Sequence, residues 1–269
     1  MRDSGGVPEG PLEDLAYLSR SKSRIDLLNT LSVASHTRGE LEAETRIPRT
    51  TIDRVVNELE ERDWVRRTRG GVYEATPAGK RISAEITRAV GSMQAIRHLA
   101  EAVAWLPDDE LTIGLHHFNE ATVRRPESND MSAPTTFATD LVQEATEFLC
   151  LVNTPPSLAF EDSLIEGQVA GRLKTEHVIN KDGLDVLKDD RNRASRWATY
   201  MDAGATVHRY DGRIPCNLLV VDESVLILDR QPAAVEGIEC TESAVRLWAR
   251  GIIDEYRARA ERVSAAEFR

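Results

Sequence analysis

The chain has 269 residues, enough for two domains with separate cores, and its apolar runs are short, Leu218, Leu219, Val220 and Val221 among them, far from the roughly 20 apolar residues of a membrane span. Residues 1–11 carry Gly, Pro and acidic side chains without the apolar stretch of a secretory signal, so the expectation is a cytoplasmic protein with no membrane partner. The formal net charge of -11 argues against a polyanionic partner, but residues 1–80 hold 13 Lys plus Arg against 14 Asp plus Glu, and the acidity belongs to the remainder.

In chain order, residues 21–33 place Ile25, Leu28 and Leu31 at helical spacing behind the candidate caps Ser21 and Ser23. Thr37 with Glu40 is a capping-box pattern that opens a short helix carrying Leu41. A tight turn follows at residues 45–47, then a helix over residues 48–62 with Ile52, Val56 and Leu59 on one face and Arg49, Thr50, Asp53, Arg54 and Asn57 on the other. Pro48 suits a first helical turn. A short helix, a tight turn and a helix led by Arg, Thr and Thr is the arrangement in which the second helix enters the major groove of duplex DNA, where Arg pairs with guanine and Thr meets a thymine methyl or a phosphate.

Residues 64–67 and 72–75 read as two strands around a turn at Arg69, Gly70 and Gly71, a wing whose Arg66, Arg67 and Arg69 are placed to touch phosphate. The alternative is a small three-helix bundle with a merely solvated third helix. Thr76, Pro77, Ala78 and Gly79 cap the next helix, which the spacing of Ile82, Ile86, Val90, Met93, Ile96, Leu99 and Val103 extends over residues 77–105. That length suggests a dimer seam, with packing on its own chain as the alternative. Pro107 ends the helix, and residues 126–134 read as a linker.

Beyond it, residues 148–152, 175–179 and 206–210 read as strands, 157–170 and 191–203 as helices, the latter stopped by Gly204. Residues 217–221 and 225–229 form a hairpin around Asp222, Glu223 and Ser224, and residues 241–260 a closing helix with Val245, Trp248, Ile252, Ile253 and Tyr256 inward. This alternation implies a sheet covered by helices. The expected fold is therefore an α+β winged helix-turn-helix domain at residues 12–80, a connector and dimerisation helix at 81–106, a linker region at 107–134 and an α/β effector domain at 135–262.

The first part resembles winged-helix regulators of the MarR, ArsR and TrmB type through the consecutive residues Arg46, Ile47, Pro48, Arg49, Thr50, Thr51, Ile52, Asp53 and Arg54 and the run from Leu59 through Arg67. Pro48 departs from that pattern, in which a Ser commonly caps the recognition helix. The second part resembles the archaeal effector domain first named for a methanogenesis regulatory protein. Ala203, Gly204 and Ala205, then Tyr210, Asp211, Gly212, Ile214, Pro215 and Asn217, then Thr241, Glu242, Ala249 and Tyr256 carry that likeness, with Trp105, Leu106 and Pro107 at the connector. The resemblance implies an archaeal, haloarchaeal transcriptional regulator with a sensing domain. It brings no cofactor and no catalytic residues. Only five of the 34 basic residues are Lys, a balance that fits adaptation to concentrated salt.

The DNA-contacting set expected from the sequence is Arg46, Arg49, Thr50, Thr51, Asp53, Arg54, Asn57, Arg66, Arg67 and Arg69. For a small-molecule effector, Asn153, Thr154, His208, Tyr210, Asp211 and Asn217 lie near strand ends, the alternative being that Asn153 and Asn217 satisfy turn backbone. No catalysis and no metal are expected: His177 with Lys181 and Asp182 has the wrong spacing for phospholipase-type chemistry, and His116 and His117 lack a third ligand. Cys150, Cys216 and Cys240 are too dispersed for a disulfide framework and read as buried thiols, with redox sensing as the alternative. The rival to a sensor is a constitutive regulator whose second domain dimerises or recruits partners, and beyond that a metabolite-processing enzyme.

Overall fold

Packing of leucines sets the frame of the first part of the chain. The computed structural model describes residues 8–125, 133–228 and 236–269, and the chain divides into two units at residues 1–90 and 91–269. In the first unit, α1 (Glu9–Ser19), α2 (Lys22–Val33), α3 (Arg38–Thr45) and α4 (Arg49–Glu60) precede β1 (Val65–Arg67) and β2 (Tyr73–Ala75). Leu27, Leu28 and Leu31 of α2, Leu41 of α3 and Ile52, Val55, Val56 and Leu59 of α4 form one core with Trp64, Val65 and Tyr73. Helix α1 is absent from the sequence reading; it buries only Tyr17 and Leu18, too few positions to make a period.

The capping box is present as expected. The Glu40 N–H donates to Thr37 Oγ1 at 3.3 Å, and the Thr37 N–H donates to Glu40 Oε2 at 2.6 Å, satisfying two amides that the first turn of α3 leaves open, a cap contributing about 1 kcal/mol. β1 and β2 pair antiparallel with Arg66 opposite Glu74. A bridge between His36 and Tyr73 adds the loop before α3 to their edge.

Helix α5 (Pro77–Leu99) starts where Thr76 Oγ1 accepts the Gly79 N–H at 3.1 Å. Gly79 sits so tightly against the residue before β1 that a Cβ there would lie 1.9 Å from the Trp64 carbonyl oxygen. The helix ends at Leu99, short of the expected 105: Ala100 has φ 51°, and a 3₁₀ helix, Ala100–Trp105, follows. A 3₁₀ turn repeats every three residues, so Leu99 and Ala102 both stay buried and the apolar spacing passes through the break unmarked.

The second unit is an eight-stranded sheet. In chain order its elements are β3 (Thr122–Arg124), α6 (Ala133–Glu144), β4 (Glu147–Val152), α7 (Leu158–Val169), β5 (Lys174–Asn180), α8 (Lys181–Asp189), α9 (Arg191–Asp202), β6 (Thr206–Tyr210), β7 (Asn217–Val221), β8 (Ser224–Leu228), β9 (Gly237–Cys240), α10 (Ser243–Ala258) and β10 (Glu261–Arg262). The strand order is β10-β6-β5-β4-β7-β8-β9-β3. β4, β5 and β6 are parallel and the other pairings antiparallel. One face packs on α6 to α9 through Phe148, Cys150, Ile179 and Val207. The other packs on α10 through Leu151, Val178, Leu218 and Val220. Covered on both sides, β7 runs through Leu218, Leu219, Val220 and Val221 without polar alternation, and all five of its residues are buried.

The segment expected as linker, residues 107–134, belongs in part to this sheet. β3 pairs with β9, Phe118 and Ala121 are buried, and Trp248 Nε1 donates to the Glu110 carbonyl at 2.9 Å. Three residues of strand with no apolar alternation gave the sequence reading nothing to detect. Of the expected linker, residues 126–132 lie outside the described residues, and Pro134 lies in the first turn of α6. The hairpin turn is two residues, Asp222 and Glu223, with Ser224 already in β8; Asp229 lies outside the described residues. Helix α8, capped by the Asn180 side chain on the Gly183 N–H, escaped notice because it buries only two leucines, Leu184 and Leu187.

Cys150, Cys216 and Cys240 are buried and form no disulfide among the described residues. Cys150 Sγ lies 3.2 Å from His177 Nδ1, and His177 Nε2 lies 2.9 Å from the Tyr200 hydroxyl. Burial holds the His177 imidazole neutral, its pKa lowered from 6.5 to about 3.

Two predictions follow from this packing. Gly79→Ala forces backbone apart and costs roughly 1–3 kcal/mol in a denaturant titration; a variant as stable as wild type contradicts the close approach. Protonation of His177 favours the unfolded chain, so its contribution is fully present above pH 6.5 and lost as pH falls from there towards 3, with a slope of up to about 1.4 kcal/mol per pH unit. Urea midpoints measured between pH 7 and 5 at constant salt should fall, and His177→Gln should flatten the dependence; an equal slope in the variant contradicts the assignment.

Candidate nucleic-acid interface

The turn between α3 and α4 fixes what α4 exposes. Thr45 Oγ1 donates to the Leu41 carbonyl at 2.6 Å and accepts the Ile47 N–H at 3.3 Å, Arg46 takes the left-handed conformation at φ 57°, and Ile47 is buried. Pro48 is the N-cap, one position earlier than a first helical residue, and supplies no side-chain cap, so α4 begins at Arg49. With Ile52, Val55, Val56 and Leu59 buried, Arg49, Thr50, Arg54 and Asn57 are exposed, and Thr51 and Asp53 half-buried. Arg46 is exposed just before the helix.

The expected residues differ in their engagements. Asp53 ion-pairs with Arg38 of α3 at 2.8 Å, which makes it a strut between the two helices. Arg54 pairs with Glu58 at 2.7 Å. On the hairpin, Arg66 pairs with Glu74 directly across the strands at 2.7 Å. Arg67 places its guanidinium 5.8 Å from the centre of the Tyr73 ring, and Arg38 places its own 5.2 Å from the same ring. Asp53, Arg38, Tyr73 and Arg67 thus connect α4 to the hairpin. Arg46, Arg49, Arg67 and Arg69 have no carboxylate partner among the described residues. Arg38 and Tyr73 were missed by sequence reasoning, because their contacts join separate elements and follow no local spacing.

Of the residues expected for an effector, Asn153, Asn217 and, through Asn180, Tyr210 lie at one end of the sheet, where Asn180 Nδ2 donates to Asn153 Oδ1 at 3.3 Å and Asn180 stands opposite Tyr210. The Asn153 N–H donates to Asn217 Oδ1 at 2.8 Å and Asn153 Nδ2 to the Ile214 carbonyl at 3.0 Å, so these two side chains tie β4 to the loop before β7. Thr154 follows in the loop after β4. His208 Nδ1 lies 3.9 Å from Glu176, Tyr210 packs edge-on against Tyr256 at 4.9 Å, and Asp211 accepts from Arg209 at 2.9 Å. Burial lowers the His208 pKa, opposed by the Glu176 charge. An open groove of about 540 Å³, lined by Phe137, Leu141, Asp140, Glu144, Asp222 and Glu223, contains none of the six.

Residues 12–98 match the family described as the HVO_A0261 N-terminal domain. No curated protein matches the chain. Among solved structures it is similar to TrmBL2, an archaeal chromatin protein whose structure is described as showing a novel mode of DNA binding, at 20% identity over 85% of this chain and 88% of that one, TM-score 0.43. A phospholipase D family member, Nuc from Salmonella typhimurium, is 12% identical over 54% of this chain and 99% of that one, TM-score 0.43. Both TM-scores are too low to establish a shared fold, and the functional reading rests on this chain's own side chains. No helix among the described residues is long and apolar enough to cross a membrane.

Proposed function

We propose that the protein is a sequence-specific, duplex-DNA-binding transcriptional regulator whose first unit is a winged helix-turn-helix. The observation that carries this reading is the outward presentation of Arg49, Thr50, Arg54 and Asn57 from a helix whose opposite face is wholly buried. Those are groups that pair with base edges and phosphates in a major groove. Arg46 before the helix and Arg67 and Arg69 on the hairpin add cations suited to backbone phosphate, and the near-neutral charge of residues 1–80 lets them act despite the acidity of the rest. In this reading the protein works in the cytoplasm without a catalytic step.

We further propose a homodimer. Val90, Met93 and Ile96 of α5 are 46%, 66% and 44% exposed at three-residue intervals, an apolar row suited to a twofold seam. Under this reading the second unit senses a small molecule, and coupling requires that the ligand bind two dimer geometries with different affinity. The commitment of the Asn217 side chain to the Asn153 backbone N–H and of the Asn153 side chain to the Ile214 carbonyl favours a second reading, in which this unit only assembles the protein. Thermal-shift screening of the full chain with metabolite pools separates the two.

Two variants test the main reading on a duplex recovered by genomic immunoprecipitation. Arg49→Ala should weaken binding to the preferred sequence by about 5- to 150-fold, equivalent to the loss of roughly 1–3 kcal/mol of base recognition; unchanged binding removes α4 from the interface. Met93→Asp should give a monomer by analytical ultracentrifugation and lose preference for two half-sites over one. An intact dimer places the seam elsewhere.

A further inference from the structure

The arginines of the interface fall into two classes. Arg46, Arg49, Arg67 and Arg69 carry no carboxylate partner among the described residues, whereas Arg54 and Arg66 each already hold one. Arg54 Nη1 donates to Glu58 Oε1 at 2.7 Å. Arg66 brings Nε to 2.8 Å and Nη2 to 2.7 Å of Glu74 Oε1, using the edge of the guanidinium that would otherwise face a phosphate or a guanine.

Both carboxylates are also anchored from the other side. Arg24 Nη2 donates to Glu58 Oε2 at 3.1 Å, and Arg24 is itself fixed by its Nη1 on the Tyr17 carbonyl at 2.7 Å and over the Tyr17 ring at 4.0 Å. Ser35 Oγ donates to Glu74 Oε2 at 3.0 Å. Each acid is therefore held in place whether or not its arginine stays.

We propose that Glu58 and Glu74 are intramolecular competitors for the nucleic acid, occupying in the free protein the guanidinium edges that a phosphate or base would take. The proposal rests on the duplex-DNA reading above. Arg54 and Arg66 then engage DNA only by exchange of partner, which is accessible because exposed ion pairs are weak and screened. The two exchanges differ in cost. Once Arg54 leaves, Glu58 keeps the hydrogen-bonded Arg24 cation, whereas Glu74 keeps the neutral Ser35 hydroxyl and only the more distant charge of Lys80, and faces the incoming phosphate with its charge less compensated. Each freed carboxylate also takes up a cation from solution, which offsets the counterion that its arginine releases from DNA and flattens the salt dependence.

The test is a fluorescence-anisotropy titration of the full chain with the immunoprecipitated duplex across a salt series, using wild type, Glu58→Gln, Glu74→Gln and the Arg49→Ala control. Glu74→Gln should bind about threefold to tenfold more tightly at low salt, Glu58→Gln by a smaller factor, and each should steepen the log–log salt slope by up to about one. The gain from Glu74→Gln must vanish in an Arg66→Ala background, and that from Glu58→Gln in an Arg54→Ala background. A gain that persists there is general charge repulsion and overturns the proposal, as does unchanged or weaker binding by the folded Gln variants. If Glu58→Gln fails to fold, Glu74→Gln decides the matter, since its contacts lie on the exposed hairpin. Weakening by Arg49→Ala alongside unaltered Gln variants sinks the competition and leaves the DNA reading standing; no binding of duplex by wild type sinks both.

Discussion

The burial of Ile47, Ile52, Val55, Val56 and Leu59 against the leucines of α2 and α3 is the constraint on which the interface depends. Each such side chain contributes about 1.5–3 kcal/mol when fully removed from water. Together they outweigh the roughly 1–2 kcal/mol that an L-residue loses in the left-handed conformation of Arg46. Because α4 has one buried side, its polar residues have no choice of direction, and the groups that meet a ligand are set by helical geometry. The Thr37 and Glu40 cap fixes the start of α3, so the short helix and its turn are held at both ends.

The second unit is organised differently. Its sheet is covered on both faces, and several of its buried polar groups pair with each other. His177 sits between Cys150 and Tyr200, the buried Glu161 carboxylate pairs with Arg193, and Gln168 Oε1 accepts both the backbone N–H and the hydroxyl of Thr175. Such pairing specifies a core, although Glu161 Oε2, Arg193 Nε and Trp197 Nε1 are buried without a hydrogen-bond partner among the described residues.

Local patterns were legible in the sequence, and contacts between separate elements were not. The capping box, the tight turn at residues 45–47, the apolar face of α4, the hairpin and the inward face of α10 each follow from spacing within a dozen residues. The break in α5 was hidden because a 3₁₀ helix keeps the three-residue part of the period. β3, β9 and β10 are four residues or fewer and gain their place only by pairing with distant strands. In the interface, the sequence identified the polar side of α4 but not which members were committed: Asp53 is taken by Arg38, fifteen positions away, and Arg66 by Glu74 through strand register. Asn217 Oδ1, far away in the chain, accepts the backbone N–H of Asn153.

Amide hydrogen exchange of the full chain, free and with its immunoprecipitated duplex, tests the central assignment most directly, because it reports where the nucleic acid lies without altering a side chain. Slowed exchange should be concentrated in residues 46–57 and 66–72. Protection confined to residues 133–228, or none at saturating duplex, would contradict a DNA-reading α4 and wing.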